Sequence, residues 1–363
     1  MSRHENLKKK LLAKKELPTE LDTRTKLSTG STLLNLACSG YPNWGFAGGL
    51  YYHLVGDSVS GKTFLSLACL AEAGLNSQFN RHRFIFDNAE NGALMNVRQF
   101  FGSAVAGRME PPAGTRGNPI YSSTLEEFYY HVDDAFKAGK PFIYVLDSTD
   151  ALGTKDEEDK FHKQKKAHFK DRQEAGTYGT SRAKINSANI RLMHNNLRDE
   201  GKSIIILVTQ TRANIGFASM LEPRTFSGGK ALTFYSALQL WSSVKEHVKV
   251  SYSNKQIEQG IIAKVRVKKN RMTGKDRSVL IPILHSSGID DIGGNCDYLV
   301  EWGHWKEDRG KIAATDLGFA GPRESLIRYI ERERLEKQLV FLVTDLWNDV
   351  EEKCAAERKP KYD

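Results

Sequence analysis

Four short, mostly apolar runs divide the first part of the chain, with longer amphipathic segments between them. The runs are LYYHLV (50–55), RFIFD (83–87), FIYVLD (142–147) and SIIILVT (203–209). Such continuous runs are typical of strands buried on both faces of a parallel sheet. The helical pattern TFLSLACLAEAGL lies between the first two runs, and this order predicts a right-handed βαβ unit. We therefore predict an α/β fold with a mostly parallel central sheet and helices on both faces.

The pattern changes after residue 229. The segments ALQLWSSV, IIAKVRVKK and SVLIPIL are separated by polar turns and predict antiparallel or edge strands. Residues 186–199 and 323–357 have helical spacing, and NLKKKLLAKKEL (5–16) predicts a short basic helix.

Composition narrows the class of protein. With 363 residues, 40% hydrophobic and 27% charged, the chain is typical of soluble globular proteins. No apolar run is long enough for a membrane span, no signal-peptide pattern starts the chain, and the four cysteines are scattered without a CxxC pair. We expect a protein of a reducing cytoplasm.

The charge is unevenly distributed. The formal net charge is +9, and residues 245–277 contain ten Lys and Arg against three acidic residues. A basic stretch of this kind favours a polyanionic partner, although it can also serve only to keep a protein soluble.

A phosphate-binding motif follows the first predicted strand. The stretch GDSVSGKT (56–63) matches G-x-x-x-x-G-K-[ST] between a predicted strand and a predicted helix. The motif predicts that backbone N–H groups cradle phosphates, that Lys62 reaches the β- and γ-phosphates, and that Thr63 binds Mg²⁺. The predicted nucleotide-binding residues are Gly56, Asp57, Ser58, Ser60, Gly61, Lys62, Thr63 and Asp147.

Acidic residues follow two of the predicted strands. Asp147 ends FIYVLD, where a carboxylate would lie beside the metal and order one of its waters; the alternative is a capping aspartate at a turn. Glu90, just past RFIFD, is the candidate base that polarises the attacking water, and Asp87 competes for that role.

These motifs occur in a recognisable order. The chain contains LSTGSTLLNLACSG (27–40), GDSVSGKT, FDNAEN, YVLDSTDAL, LVTQTRANIG, FSGGKALTFYSALQL, VRVKKNRMTG and HSSGIDDIGGNCDYLVEWG. Over residues 26–305 it resembles the RecA family of DNA recombinases, including its UvsX-like phage members. The resemblance implies a RecA-type ATPase core at 26–305, a basic N-terminal arm at 1–25 that contacts another subunit, and a small helical C-terminal unit at 306–363.

The resemblance also implies an activity. It implies a DNA-dependent ATPase that uses ATP and Mg²⁺, forms a helical filament on single-stranded DNA and pairs it with homologous double-stranded DNA. A single-strand-binding protein or a loader would be a further partner. The resemblance also implies the cytoplasm of a bacterium or of a phage-infected host cell. Two other functions remain open: a ring-forming, helicase-like motor with the same fold, and a recombination mediator that hydrolyses ATP weakly.

Several roles follow only from the resemblance. Gln210 becomes the γ-phosphate sensor, although from its position alone it could equally be a strand-end amide. Lys269 and Arg271 become a basic pair that reaches the ATP of the neighbouring subunit, as an arginine finger does; the alternative is a solvated strand face. Phe234 becomes a contact between subunits.

Two loops are implied to hold DNA, at about 153–184 and 212–229. A basic side chain can bind a DNA phosphate, and a glycine lets the backbone approach closely. For the basic residues, the alternative is simple exposure on turns. The candidates are Arg182, Lys184, Arg212, Arg224, Gly228 and Gly229.

The chain also departs from the family pattern. It has D-N-A-E where the family usually has D-x-E, which shifts Glu90 by one residue. Thr233 stands where bacterial members usually have a basic residue, and the end ERKPKYD lacks an acidic tail.

Overall fold

The computed structural model describes residues 20–168, 180–213 and 224–358. The predicted basic helix at 5–16 lies outside the described residues, as do residues 169–179 and 214–223 of the two predicted DNA loops.

The strands, numbered in chain order, are β1 (Lys26–Leu27), β2 (Phe46–Ala47), β3 (Leu50–Gly56), β4 (Arg83–Asp87), β5 (Met109–Glu110), β6 (Ala113–Thr115), β7 (Asn118–Ile120), β8 (Phe142–Leu146), β9 (Ile204–Ala213), β10 (Arg224–Phe226), β11 (Leu238–Tyr252), β12 (Lys255–Asn270), β13 (Arg277–Leu284), β14 (Gly288–Ile289), β15 (Lys306–Asp308), β16 (Lys311–Ala314) and β17 (Phe319–Gly321).

The α-helices are α1 (Thr32–Ser39), α2 (Lys62–Leu75), α3 (Val97–Phe101), α4 (Ser103–Arg108), α5 (Leu125–Lys137), α6 (Lys155–His168), α7 (Thr180–Glu200), α8 (Lys230–Tyr235), α9 (Asp291–Glu301), α10 (Arg323–Glu333) and α11 (Glu336–Lys353). None of the helices that the structure describes is both long and apolar enough to cross a membrane.

The main sheet has the strand order β14-β13-β12-β11-β3-β9-β8-β4-β5, and β10 pairs with the end of β9. The six strands from β11 to β5 in this order run parallel. Beyond β11 the pairing becomes antiparallel. The predicted mostly parallel α/β fold is confirmed.

Alternate residues of the central strands face two different layers, as the period of two in a strand requires. In β9, Ile204 and Ile206 belong to a core shared with α2, whereas Ile205 and Leu207 pack with α5 and α7. All four side chains are at most 1% exposed. This is why the sequence of β9 reads as one uninterrupted apolar run.

The register brings the ends of four strands to one edge of the sheet. Gly56 of β3 lies opposite Gln210 of β9, and Asp87 of β4 lies opposite Leu146 of β8. The carboxyl ends of parallel strands are the usual ligand-binding edge of such sheets. We call this the carboxyl edge.

The C-terminal part combines helices with strands. Helices α10 and α11 lie within the predicted helical unit, but a three-stranded antiparallel sheet (β15–β17), which the sequence did not predict, precedes them. Leu326, Val343 and Trp347 belong to the same hydrophobic core as Leu54 of β3. Packing is therefore continuous across residue 305, and the boundary placed there stays a prediction.

Candidate functional site

The phosphate-binding motif connects β3 to α2. Val59 and Gly61 have φ angles of 61° and 85°, left-handed conformations that curl the backbone. The positive φ of Gly61 favours glycine, and a Cβ there would lie 2.5 Å from Cδ1 of Ile283, which would have to move. No side-chain hydrogen bond caps the start of α2 at Gly61. The first N–H groups of this helix are thus available to an anion.

Strand β11 forms hydrogen bonds with the backbone of this loop. The carbonyl of Ser242 accepts a hydrogen bond from the Asp57 N–H at 3.3 Å, and the Ser242 hydroxyl donates to the Ser60 carbonyl at 2.6 Å. Ser242 and Ser60 are buried, whereas Ser58 is exposed. The loop is therefore fixed along its inner side and open on its outer side.

Lys62 points back into the loop. Its ammonium donates to the Asp57 carbonyl. Burial lowers the pKa of Lys62, whereas the carboxylates of Asp147 and Glu90 oppose that shift.

Thr63 and Asp147 meet across the carboxyl edge. The Thr63 hydroxyl donates to Oδ2 of Asp147 at 2.5 Å. Burial raises the pKa of Asp147, and the Thr63 hydrogen bond acts against that shift. A nucleotide-bound Mg²⁺ usually binds phosphates, waters and one or two protein oxygens. The Thr63 hydroxyl and the Asp147 carboxylate fit this sparse donor set.

Glu90 lies at the same edge and has two side-chain partners. Its carboxylate accepts hydrogen bonds from the Ser148 hydroxyl at 2.8 Å and from the Gln210 amide at 2.5 Å. Its own N–H donates to the Asp147 carbonyl at 3.0 Å. The structure thus brings Glu90, Gln210 and Asp147 together at the carboxyl edge, while their roles stay predictions.

Asp87 has a different environment. It is completely buried, and its carboxylate accepts hydrogen bonds from the Ser122 hydroxyl at 2.6 Å and the Tyr144 hydroxyl at 2.8 Å. Burial raises its pKa, with these hydrogen bonds acting in the opposite direction. Asp87 thus joins β4 to its neighbours, while Glu90 is exposed at the carboxyl edge.

The side chain of Asp57 connects the phosphate-binding loop to β9 and β10. Its carboxylate accepts hydrogen bonds from the Thr211 hydroxyl and the Arg224 guanidinium. Thr211 lies opposite Phe226, and Ala213 lies opposite Arg224, in the β9–β10 pair. This pair occupies both ends of the second predicted DNA loop (about 212–229), so those ends form strands.

Asp150 makes a second set of contacts that the sequence analysis missed. Its carboxylate accepts hydrogen bonds from the Gln210 N–H at 2.6 Å and the Ser227 hydroxyl at 2.7 Å. Arg212 lies within 3.4 Å of it. The only signal in the sequence was its place three residues after Asp147, which is insufficient to identify partners so distant along the chain.

A buried polar chain lies beneath Gln210. Gln239 donates to Nδ1 of His53 at 3.1 Å, which leaves Nε2 to donate to the Thr209 hydroxyl at 2.9 Å. Burial lowers the pKa of His53 to about 3, so the ring is neutral near pH 7. These hydrogen bonds satisfy the polar side chains that are buried inside the sheet.

The predicted DNA-binding residues are dispersed around the two loops. Arg182 donates to the Thr149 carbonyl at 2.6 Å, and Lys184 is exposed on α7. Gly228 and Gly229 pack on α7: added Cβ atoms would lie 2.9 Å from the Asn186 amide and 3.0 Å from Cβ of Ala183, respectively. These two glycines therefore permit close packing within the chain, besides any approach to DNA.

Lys269 and Arg271 lie away from the chain's own phosphate-binding loop. Lys269 pairs with Gln239, three residues before Ser242, which itself pairs with Gly56. The Lys269 ammonium donates to main-chain carbonyls around Phe234, including that of Ser236 at 2.7 Å. Arg271 donates to the Phe234 carbonyl at 2.5 Å, and the Phe234 ring is 62% exposed.

The fold and the carboxyl edge place the protein in a class of α/β proteins. Members of this class have a phosphate-binding loop with two acidic residues beside it, here Asp147 and Glu90. A family model described as the RecA N-terminal domain matches residues 135–290. The chain is 26% identical over 324 residues to a protein RecA of Trichodesmium erythraeum (strain IMS101), covering 86% of this chain and 79% of that protein. It is 25% identical over 303 residues to a protein RecA of Streptococcus agalactiae serotype III (strain NEM316), covering 78% and 69%.

The chain is thus similar to proteins of the RecA family. The predicted family resemblance is confirmed, and it supports a role in DNA recombination or repair.

Proposed function

We propose that the chain is an ATP-dependent recombinase. It forms a filament on single-stranded DNA and promotes homologous pairing and strand exchange. ATP acts as a switch: its binding favours the state that holds DNA, and its hydrolysis releases DNA.

One observation carries this proposal: Gln210 contacts the candidate base and also leads into the second predicted DNA loop. Its amide lies 2.5 Å from the Glu90 carboxylate, and β9 continues from Gln210 to Ala213 at the border of that loop. A group at the γ-phosphate position would compete with Glu90 for the Gln210 amide. The chemical state of the nucleotide is thereby linked to the strand that leads to DNA.

The proposed chemical roles follow from the same edge. When bound, ATP would supply the terminal phosphoryl group that hydrolysis transfers to water, and Mg²⁺ would offset the charge of its phosphates. Lys62 and the backbone of the phosphate-binding loop would hold the phosphates, and Thr63 and Asp147, the latter through a water, would hold Mg²⁺. Glu90 accepts a proton from the attacking water, and Ser148 orients the Glu90 carboxylate.

Assembly completes the site in this proposal. Lys269 and Arg271 act on the nucleotide of a neighbouring subunit, and Phe234 contacts that subunit. Lys269 is offset from the chain's own phosphate-binding loop by three residues along the strand direction, about 10 Å, and lies two strands away from β3, which supports a role in trans.

The deciding experiment is a joint-molecule assay with homologous single- and double-stranded DNA, ATP and Mg²⁺, with Lys62→Ala as the control. We expect joint molecules from the native chain and none from the variant. If the native chain forms none although it hydrolyses ATP, the proposal is wrong.

Two further measurements identify the alternatives. Electron microscopy with ATP and single-stranded DNA distinguishes helical filaments from the closed rings of a helicase-like motor. An ATPase assay with and without DNA identifies a mediator, which would bind DNA without measurable stimulated hydrolysis.

A further inference from the structure

The ion pair between Asp57 and Arg224 joins two parts of the molecule that are 167 residues apart in sequence. Asp57 is the second residue of the phosphate-binding loop. Arg224 begins β10, immediately after residues 214–223. Thr211, on the strand that leads into those residues, donates to the other oxygen of the same carboxylate. Asp57 therefore contacts both strands that flank residues 214–223 of the second predicted DNA loop.

The phosphate-binding motif leaves the second position unrestricted, so an acidic residue there is not needed to form the loop. It even carries a cost, since a carboxylate in this loop lies close to the phosphates and repels them. Arg224 compensates this charge in the described chain. The pair is partly exposed, with 53% of the Arg224 side chain and 30% of the Asp57 side chain accessible.

A bound triphosphate increases the negative charge around this pair. The Arg224 guanidinium then interacts favourably with Asp57 and with the phosphates together, so bound nucleotide strengthens its hold on the loop. The β9–β10 pair, which carries Thr211 and Arg224, is held more firmly at the same time. Phe226 adds to this anchoring, because its ring packs edge-on against His53 at 4.8 Å.

We infer that Asp57 is a positioning residue that holds Arg224 at the phosphate-binding loop, so that Arg224 responds to the charge of the nucleotide and transmits it to the base of the DNA loop. The nucleotide part of this inference needs no DNA, whereas the DNA part rests on the proposed function. It gives Arg224 a role that differs from a direct contact with a DNA phosphate.

The first test measures the affinity of a fluorescent, nonhydrolysable ATP analogue with Mg²⁺ in the absence of DNA. An ion pair of this exposure is worth about twofold to fivefold in an equilibrium. We expect Arg224→Gln to weaken nucleotide binding by that factor, because Asp57 is then uncompensated beside the phosphates. The double variant Asp57→Asn/Arg224→Gln should return to within about twofold of the native chain, because neither charge remains. The weakening should also diminish at high salt.

Arg198→Gln provides the matched control. Arg198 is 60% exposed and pairs with Asp199 at 2.8 Å, near the opposite edge of the sheet. This substitution removes the same charge from a comparable ion pair and should leave nucleotide affinity unchanged. Thermal unfolding of each variant checks that the fold is intact.

The second test measures single-strand DNA affinity with and without the analogue, using a labelled oligothymidylate. The native chain should bind DNA more tightly with nucleotide, and Asp57→Asn should reduce that difference by about twofold to fivefold, since coupling between two sites is reciprocal. The inference is overturned if Arg224→Gln weakens only DNA binding and leaves nucleotide affinity unchanged. It is also overturned if the double variant binds nucleotide as weakly as Arg224→Gln does. Failure of the native chain in the joint-molecule assay would instead reject the proposed function and leave the nucleotide result standing.

Discussion

The side-chain amide of Gln210 donates to the Glu90 carboxylate over 2.5 Å, so the end of β9 is joined to the segment that follows β4. Each residue also has a second anchor. The Gln210 N–H donates to Asp150 at 2.6 Å, and Glu90 accepts from the Ser148 hydroxyl at 2.8 Å. The Gln210 side chain can therefore change partner while its backbone stays in place, as a sensor of the nucleotide requires.

Replacing Gln210 by alanine should separate nucleotide binding from its consequences. We expect Gln210→Ala to lower DNA-stimulated ATP hydrolysis by about 100-fold, the usual cost of losing one hydrogen bond made to developing charge. Affinity for ATP should change by less than about threefold, because Lys62 and the loop remain. Steady-state ATPase assays with and without DNA, together with nucleotide titration, measure both quantities.

The matched variant is Ser148→Ala, which removes the other hydrogen bond to Glu90 and leaves Gln210 intact. It should retain the stimulation by DNA, though at a lower overall rate. Equal loss of stimulation in both variants would show that Gln210 acts only by holding Glu90.

Glu90 and Asp87 should respond in opposite ways to neutralisation. Glu90→Gln removes the proposed base from an exposed position and should lower kcat by about 100-fold or more, with little effect on the melting temperature. Asp87→Asn places an amide where Ser122 and Tyr144 both donate hydrogen bonds. It should lower the free energy of unfolding by about 1–3 kcal/mol. Measurements of kcat and of urea unfolding on both variants test the assignment, and a stable but inactive Asp87→Asn variant would reverse it.

The sequence was informative where one local pattern determines the structure. Uninterrupted apolar runs predicted the buried strands and placed Asp147 and Gln210 at strand ends. Contacts between distant segments could not be predicted in this way. Asp57 and Arg224 are separated by 167 residues, and nothing in either local sequence specifies the other. The short strands β15–β17 were missed because three or four residues carry too little periodicity.

If Arg271 of one subunit acts on the nucleotide of its neighbour, two inactive variants should restore ATPase activity when they are mixed. Lys62→Ala disables the subunit's own nucleotide site, and Arg271→Ala removes the cation offered to the neighbour. A mixture contains interfaces in which an intact nucleotide site faces an intact Arg271, so its ATPase should exceed that of either variant alone. The rate should also rise steeply with protein concentration, because isolated subunits lack the site. If no mixing ratio restores activity, Arg271 does not act in trans.

The same interface predicts a dependence on pH through Lys269. Burial, and secondarily the nearby Arg271, lower the pKa of Lys269 from its ordinary value of 10.5 to about 8. The ammonium is therefore present below about pH 8 and is lost as the pH rises through that value. If Lys269 supplies positive charge to a neighbouring nucleotide, ATPase activity should fall as the pH rises above about 8, because the phosphates favour the ammonium and move its loss to a higher pH than in the isolated chain. Lys269→Arg should abolish the fall, because a guanidinium stays charged in this range.

The titration of Lys269 should affect stability and activity in opposite directions. This difference makes the pH test specific. Between about pH 8 and 10.5 the unfolded chain keeps the Lys269 proton that the folded chain has lost, so this group makes folding more favourable as the pH rises. A fall in activity over that window, with an undiminished melting temperature, therefore reports the lost charge at the interface rather than lost structure. A native chain and a Lys269→Arg variant with superimposable pH profiles would show that Lys269 carries no charge needed for hydrolysis.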